Sequence, residues 1–220
     1  MAGNRTLRVT GLGPRPKHDA QSLLEVAVEV FNRRGYDGTS MAEVARAAGI
    51  TKSTIYHHFS SKEQILRVAV TRALDGLFAV LDEPGVKTGP AEQRLRHVVA
   101  GTALALTREL PYVTLLLRVR GNTPTEEWAM VRRREFDRLV AAMVADAAGA
   151  RGTRPAVDPR LATRLIFGMV NSITEWYRPE RSEDPWQVAR AVSQIALDGL
   201  WGRASGGVDS QHSEDHQAAD

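Results

Sequence analysis

Two helix-start signals that follow each other closely around Gly49 constrain the fold more than any other feature of the sequence. Ser40 is followed three residues later by Glu43, the reciprocal pair of a capping box. Thr51 is a favourable N-cap for a helix over residues 52–58, and Gly49 provides the stop between the two helices. The sequence therefore predicts two short helices that are joined by a tight turn.

The second short helix and the residue after it, KSTIYHHF, have an unusual composition for a helix. Ser, Thr, Tyr and His are mediocre helix formers, so helix propensity does not explain their presence. Ile55 and Phe59 are four residues apart and are predicted to face inward with Ile50. The outward face then carries Lys52, Ser53, Tyr56 and His57. This pattern predicts an exposed surface of hydrogen-bond donors, most of which also accept.

Helix caps and apolar periodicity divide the rest of the chain into further helices, and no segment shows the alternation of a strand. Asp158-Pro159 and Asp184-Pro185 each place aspartate at the N-cap and proline at the first helical position. About nine helices are predicted in all, over residues 19–34, 40–48, 52–58, 61–81, 90–109, 112–117, 123–148, 159–177 and 185–201. The start of the fourth helix is open between Ser60 and Ser61. The fold class is predicted to be all-α.

Composition and charge set further limits on a chain of 220 residues with 43% hydrophobic residues. No run approaches the roughly 20 apolar residues that cross a bilayer, so we expect a cytoplasmic protein without a membrane partner. Residues 1–70 hold ten Lys or Arg and six Asp or Glu, whereas the whole chain has a net charge of only +3. Residues 1–17 read as a flexible basic arm, and residues 204–220 are predicted to be disordered. A basic end indicates a polyanionic partner.

Residues 39–66, TSMAEVARAAGITKSTIYHHFSSKEQIL, resemble the DNA-binding module of the TetR family of transcriptional regulators. The AGI turn, the polar second helix, its IYHHF ending and the following SKE carry the resemblance. It implies a three-helix helix-turn-helix domain over 18–62 and a larger ligand-binding and dimerisation domain over 63–203. It also implies double-stranded operator DNA as a partner. The implied DNA contacts are Thr39, Ser40, Lys52, Ser53, Thr54, Tyr56, His57 and Lys62.

The long C-terminal part of the chain is expected to dimerise and to bind a small-molecule effector. Apolar and small residues at helical spacing predict a homodimer interface at Leu161, Leu165, Gly168, Ser172, Val188, Val192, Ile195 and Gly199. The same stripes are also consistent with burial inside one chain. An effector pocket is predicted among Phe78, Leu104, Leu117, Trp128, Phe136, Phe167, Asn171 and Trp176. The segment ITEWYRPERSEDPWQVARAVSQIALDGL resembles the ends of TetR regulators that sense acyl-CoA thioesters, which makes such a thioester one candidate effector.

These features favour a ligand-responsive transcriptional regulator over two other classes of protein. The regulator is expected to be a repressor that binds a palindromic operator as a dimer. An enzyme is not expected, since the sequence has no cysteine, no P-loop, no GxSxG and no HExxH motif. For the same reason we expect no cofactor and no metal. The remaining alternative is a helical ligand-binding or scaffolding protein without sequence-specific DNA binding.

Overall fold

The computed structural model describes residues 19–152, 157–181 and 183–201, which form helices and contain no strand. The predicted all-α class is therefore confirmed for this part of the chain. The helices are α1 (Ala20–Arg34), α2 (Met41–Ala47), α3 (Lys52–His58), α4 (Lys62–Asp82), α5 (Pro84–Lys87), α6 (Ala91–Arg108), α7 (Leu110–Arg118), α8 (Pro124–Ala150), α9 (Pro159–Trp176) and α10 (Pro185–Trp201). The basic arm predicted at 1–17 and the tail predicted at 204–220 lie outside the described residues.

Side-chain caps fix the first turns of most of these helices. A side-chain oxygen accepts a hydrogen bond from a first-turn backbone N–H at Asp19, Ser40, Thr51, Ser61, Thr123 and Asp158. Ser61, not Ser60, is the cap of α4, because its hydroxyl accepts from the backbone N–H of Gln64 at 3.1 Å. Ser60 instead donates its own N–H to the Gln64 side chain at 2.6 Å. The helix starts read from the sequence are thus set by local hydrogen bonds.

One helix was not expected from the sequence. The sequence analysis placed no helix between residues 81 and 90, but Pro84–Lys87 form the single turn α5. Pro84 stands at the first helical position, and the Thr88 hydroxyl donates to its carbonyl at 3.2 Å. Val86 of this turn is buried in the core of the larger helical body. Burial of this one apolar side chain gives the turn a fixed conformation that local sequence signals do not reveal.

Two hydrophobic cores organise the molecule, and α4 contributes to both. The N-terminal core joins α1, α2, α3 and the first part of α4, and it extends to α7 through Tyr112, Leu115 and Leu116. The larger core is built by α6, α8, α9 and α10, with Leu77 and Leu81 of α4 packed against it. The predicted domain boundary after residue 62 falls at the first turn of α4. Helix α4 therefore connects the N-terminal bundle, formed by α1, α2 and α3, to the larger helical body, formed by α6, α8, α9 and α10.

Candidate nucleic-acid interface

A short turn fixes the relative position of α2 and α3. The backbone N–H of Gly49 donates to Arg46 at 3.1 Å, and that of Ile50 donates to Ala45 at 3.0 Å. Gly49 has a φ of +70°, a left-handed conformation that is costly for residues with a Cβ. Ile55 is fully buried in the N-terminal core, and Ile50 packs against the same core. The arrangement is that of a helix-turn-helix, in which the second helix is presented to solvent.

The outward face of α3 carries the polar side chains that the sequence placed there. Lys52, Ser53, Tyr56 and His57 are exposed, and 45% of the Tyr56 surface is accessible. The Lys52 ammonium lies 6.0 Å from the centre of the Tyr56 ring, so the two form one edge of this surface. Phe59 is buried and holds the end of the helix to the core. The face offers an ammonium, hydroxyls and an imidazole to an external partner.

Thr54, which was predicted among the DNA contacts, is partly used within the protein. It is half-buried, and its hydroxyl lies 2.9 Å from the hydroxyl of the N-cap Thr51. Its backbone N–H donates to the same Thr51 hydroxyl at 3.1 Å. Thr54 therefore serves the start of α3, and its side chain is less available than those of Ser53 and His57.

The N-terminus of α2 contains a complete capping box. The Ser40 hydroxyl accepts from the Glu43 backbone, and the Glu43 carboxylate accepts from the Ser40 N–H at 2.8 Å. Hydrogen bonds from the backbone and then the hydroxyl of Ser40 hold the pKa of the Glu43 carboxyl below its ordinary value, and Arg34 adds to this. Ser40 is exposed, so its predicted phosphate contact remains sterically open.

The side chain of Thr39, another residue of the predicted DNA contacts, is turned into the protein. Only 2% of its surface is accessible, and its hydroxyl donates to the carbonyl of Gly35 at 2.7 Å. This bond closes the loop between α1 and α2, which explains why the hydroxyl points inward. The Thr39 side chain thus has a structural role, and the phosphate contact predicted for this residue stays a prediction.

Lys62, predicted to clamp a phosphate, is half-buried against the loop between α1 and α2. Its ammonium donates to the carbonyls of Tyr36 at 2.8 Å and Asp37 at 3.3 Å, and lies 4.3 Å from the centre of the Tyr36 ring. Burial, together with the charges of Glu63, Glu126 and Asp37, raises the pKa of Tyr36 to about 12. In this structure Lys62 fixes the loop that leads into α2, and its phosphate contact remains a prediction.

The eight residues predicted to form an effector pocket do not share one cavity. Phe136 and Phe167 are buried in the body core, where their ring centres are 5.5 Å apart. Three others line separate clefts: Leu117 between α1 and α7, Leu104 between α4, α6 and α10, and Phe78 between α4 and α8. Trp176 is half-exposed at the end of α9, Trp128 stacks under the Arg67 guanidinium at 3.5 Å, and Asn171 is half-buried.

The predicted dimer residues separate into an outer set and an inner set. Leu165 and Ile195 are each 61% exposed, and Leu161 is 49% exposed. Gly168, Ser172 and Gly199 are exposed as well. Val188 and Val192, in contrast, are buried in the core of their own chain. The interface prediction is therefore corrected for these two valines, because the apolar stripe on α10 to which they belong faces α6.

A polar cluster that sequence reasoning missed joins α4, α7 and α1. The Arg72 guanidinium binds the Glu109 carboxylate at 2.5 Å and lies 4.3 Å from the centre of the Tyr112 ring. Gln21 of α1 donates to the Tyr112 hydroxyl at 3.3 Å, and Asn32 of α1 donates to the carbonyl of Pro111 at 2.7 Å. The members are far apart in the sequence, so no local spacing signals them.

The described residues contain neither a candidate metal site nor a membrane-spanning helix. No group of three or more His, Asp or Glu side chains in this part of the chain is arranged to hold a metal ion. None of the described helices combines the length and apolar character that a membrane-spanning segment needs.

Sequence profiles of known families match both parts of the chain. The profile described as bacterial regulatory proteins of the tetR family matches residues 23–69, and that of the tetracyclin repressor-like C-terminal domain matches residues 88–200. The chain belongs to the TetR family. The first profile covers α2 and α3 completely, which identifies the exposed face of α3 as part of a DNA-binding helix-turn-helix domain. The protein is thus a DNA-binding transcriptional regulator, and its relatives are regulators rather than enzymes.

Individual relatives extend the similarity over most of the chain. A TetR-family regulator of Streptomyces coelicolor A3 with a crystal structure is 53% identical, with a TM-score of 0.78 over 90% of this chain and 99% of that one. The transcriptional activator FasR of Mycolicibacterium smegmatis is 38% identical over 85% of this chain and 84% of FasR. The structure of AibR in complex with isovaleryl coenzyme A and operator DNA is 26% identical, with a TM-score of 0.66 over 80% of this chain and 96% of AibR.

Proposed function

We propose that this TetR-family protein is a cytoplasmic, homodimeric repressor that binds a palindromic operator and releases it when a small molecule binds the helical body. The observation that carries the proposal is the division of α3 into a buried apolar side at Ile55 and an exposed polar side at Lys52 and Tyr56. A buried side fixes the helix to the bundle, and the polar side is left for phosphates and base edges of a major groove.

A dimer follows from the demands of DNA binding and from the exposed apolar side chains of α9 and α10. One helix-turn-helix makes few contacts, and two-fold pairing on a palindrome doubles them. Leu161, Leu165 and Ile195 form the apolar part of the outer surface that we assign to the partner chain. Half-sites one helical turn apart require recognition helices about 34–36 Å apart, so a shift of a few ångströms in the dimer weakens simultaneous docking.

Effector binding is expected to act by shifting the population of DNA-competent dimers. A coupling free energy of about 1–3 kcal/mol between the two sites changes affinity by roughly 5–150-fold. Acyl-CoA thioesters are a candidate class of effector, because AibR, a relative of similar fold, is described in complex with isovaleryl coenzyme A and operator DNA.

A transcriptional activator, rather than a repressor, is the second candidate function. Among the relatives, FasR is named an activator at 38% identity, whereas KstR2 of Rhodococcus jostii is named a repressor at 28% identity. A reporter gene driven by the bound promoter distinguishes the two, since deletion of a repressor raises expression and deletion of an activator lowers it.

Footprinting of the DNA that flanks the gene for this protein tests the proposal directly. We expect protection of two half-sites related by a dyad, and loss of protection for the Lys52→Ala variant at unchanged thermal stability. A helical scaffold without sequence-specific binding gives no footprint and only weak, sequence-independent retention of DNA. That result would reject the proposed function.

A further inference from the structure

A cleft between α4, α6 and α10 has a composition that suits an elongated ligand. Its volume is about 520 Å³, within the range of small-molecule sites. Small and apolar side chains, among them Ala79, Ala100, Leu104 and Ala105, form much of its lining. Gly101 brings α6 close to α4, because a Cβ at this glycine would lie only 2.6 Å from Val80. The cleft therefore offers a smooth apolar wall rather than an array of specific polar contacts.

The charged groups around this cleft favour an anion. Arg108 and Arg190 both line it, and within the described part of the chain neither forms an ion pair or a hydrogen bond through its side chain. The two acids in the lining are already engaged: Glu109 binds Arg72 at 2.5 Å, and Glu83 lies 2.6 Å from the His97 ring nitrogen. Two unpaired guanidinium groups beside an apolar wall match a ligand with an apolar chain and an anionic end.

We propose that this cleft is the effector site and that it binds an amphipathic anion, either a free acyl carboxylate or an acyl thioester with an anionic carrier. This inference rests on the proposed function, because it names the place and the chemical class of the effector. It also moves the site away from most of the residues predicted from the sequence, of which only Leu104 lines the cleft.

The wall of the cleft is connected to the DNA-binding bundle by a short series of contacts. Glu109, which lines the cleft, is the corner residue between α6 and α7 and is held by Arg72 of α4. Arg72 also contacts Tyr112 of α7, whose hydroxyl accepts a hydrogen bond from Gln21 of α1. A ligand that displaces this corner moves α7, and α7 moves α1 and the helices packed on it.

Isothermal titration calorimetry of the full-length protein with decanoate, decanoyl-CoA and the uncharged 1-decanol tests the site. We expect at least one of the two anions to bind, and decanol to bind at least tenfold more weakly than that anion. The double variant Arg108→Gln/Arg190→Gln is expected to lose at least tenfold in affinity. Arg134→Gln, a matched change at an exposed arginine of α8 outside the cleft, is expected to bind as the wild type does.

Each outcome of the titration decides the proposal. Binding of decanoate alone identifies a free carboxylate as the ligand, and binding of decanoyl-CoA alone identifies a thioester. The proposal is overturned if neither anion binds, if decanol binds as tightly as the anion, or if the double variant binds the anion as tightly as the wild type. The titration contains no DNA, so its result does not depend on operator binding, and the footprint does not depend on the anion. Failure of this proposal and failure of the proposed function are therefore distinguishable.

The connection to α1 has its own test in DNA binding with and without the anion that binds. In the wild type, saturation with the anion is expected to lower operator affinity at least fivefold. Tyr112→Phe removes the hydroxyl that contacts Gln21 and keeps the ring under Arg72, so anion affinity is expected to persist while the DNA effect shrinks. Gln21→Ala, which removes the α1 partner of that hydroxyl, serves as a second variant with the same expectation. If the anion lowers operator affinity in both variants as much as in the wild type, the contacts through Tyr112 do not connect the cleft to α1.

Discussion

At the scale of single residues, α3 separates side chains that build the helix from side chains that are free to bind. Thr51 and Thr54 share a hydroxyl contact of 2.9 Å, so both are committed to the helix start. Ser53, Tyr56 and His57 are exposed, and among the described residues their side chains form no hydrogen bond within the protein. These three side chains can bind DNA without giving up an internal hydrogen bond.

Tyr56→Phe tests the hydroxyl of the most exposed aromatic residue on this surface. Loss of one hydrogen bond to a phosphate costs about 1–1.5 kcal/mol, and a dimer loses two of them, so operator affinity is expected to fall roughly 30–160-fold. The free energy of unfolding is expected to change by less than about 0.5 kcal/mol, since the hydroxyl has no internal partner. Fluorescence anisotropy with labelled operator and thermal melting measure the two quantities. Unchanged operator affinity would remove Tyr56 from the interface.

Lys62→Met distinguishes a structural lysine from a phosphate clamp. The ammonium is held by two loop carbonyls and the Tyr36 ring, so its removal is expected to lower the free energy of unfolding by about 1–2 kcal/mol. If Lys62 only holds the loop, the salt dependence of DNA binding stays as in the wild type, because no phosphate contact is lost. A smaller salt dependence at unchanged stability would instead assign Lys62 to the DNA.

At the scale of elements, the turn between α2 and α3 sets how the exposed face is aimed. Gly49 adopts a left-handed conformation, while the two flanking residues bond back to α2. A Cβ at Gly49 would have no neighbour within 4 Å, so its only cost is the backbone conformation. The position of the recognition helix thus depends on a local conformational preference as well as on the apolar anchors Ile55 and Phe59.

Gly49→Ala is expected to destabilise the protein by about 1–2 kcal/mol, the cost of a left-handed residue with a Cβ. Gly49→Asn is expected to lose less, because asparagine tolerates this region better than alanine. Chemical denaturation of both variants gives the comparison. Equal stability of the alanine variant and the wild type would show that the turn relaxes to another conformation.

The elements were largely predictable from the sequence, because their starts depend on caps that act within three or four residues. Ser40 with Glu43, and Asp158 with the proline after it, are local signals of this kind. The turn α5 was missed because it is fixed by burial of Val86, a contact with helices distant in the sequence. Val192 lies on the expected helix, but packing within the body core turns its side chain inward. The Thr39 side chain is turned inward by a local hydrogen bond to the carbonyl of Gly35.

At the scale of the whole molecule, two cores share α4, while α7 and the start of α8 pack onto the N-terminal core. The DNA-binding bundle is therefore continuous with the helices that surround the proposed effector cleft. The outer surface of α9 and α10 carries exposed Leu165 and Ile195, a pattern typical of an apolar interface that is buried by a partner. The surfaces proposed for DNA binding, ligand binding and assembly thus have no residue in common.

The double variant Leu165→Glu/Ile195→Glu tests the assembly face. Two carboxylates on each apolar surface disfavour its burial, so light scattering is expected to show a monomer, and operator affinity is expected to fall at least tenfold. Val192→Ala is the matched internal change: it removes buried methyl groups, is expected to lower stability by about 1–3 kcal/mol, and leaves the dimer intact. A dimer that survives the glutamate variant would place the interface elsewhere.

The salt dependence of operator binding, measured for the wild type and Lys52→Ala, tests the central claim that the exposed face of α3 contacts a DNA duplex. Each phosphate neutralised by a cation contributes a slope of about −0.9 in log affinity against log salt. A dimer has two copies of Lys52, so the variant is expected to reduce the slope by about 1.8. Lys87→Ala, a change at an exposed lysine of α5, is expected to keep the wild-type slope. Equal slopes for the wild type and Lys52→Ala, at equal affinity, would contradict this account of the protein.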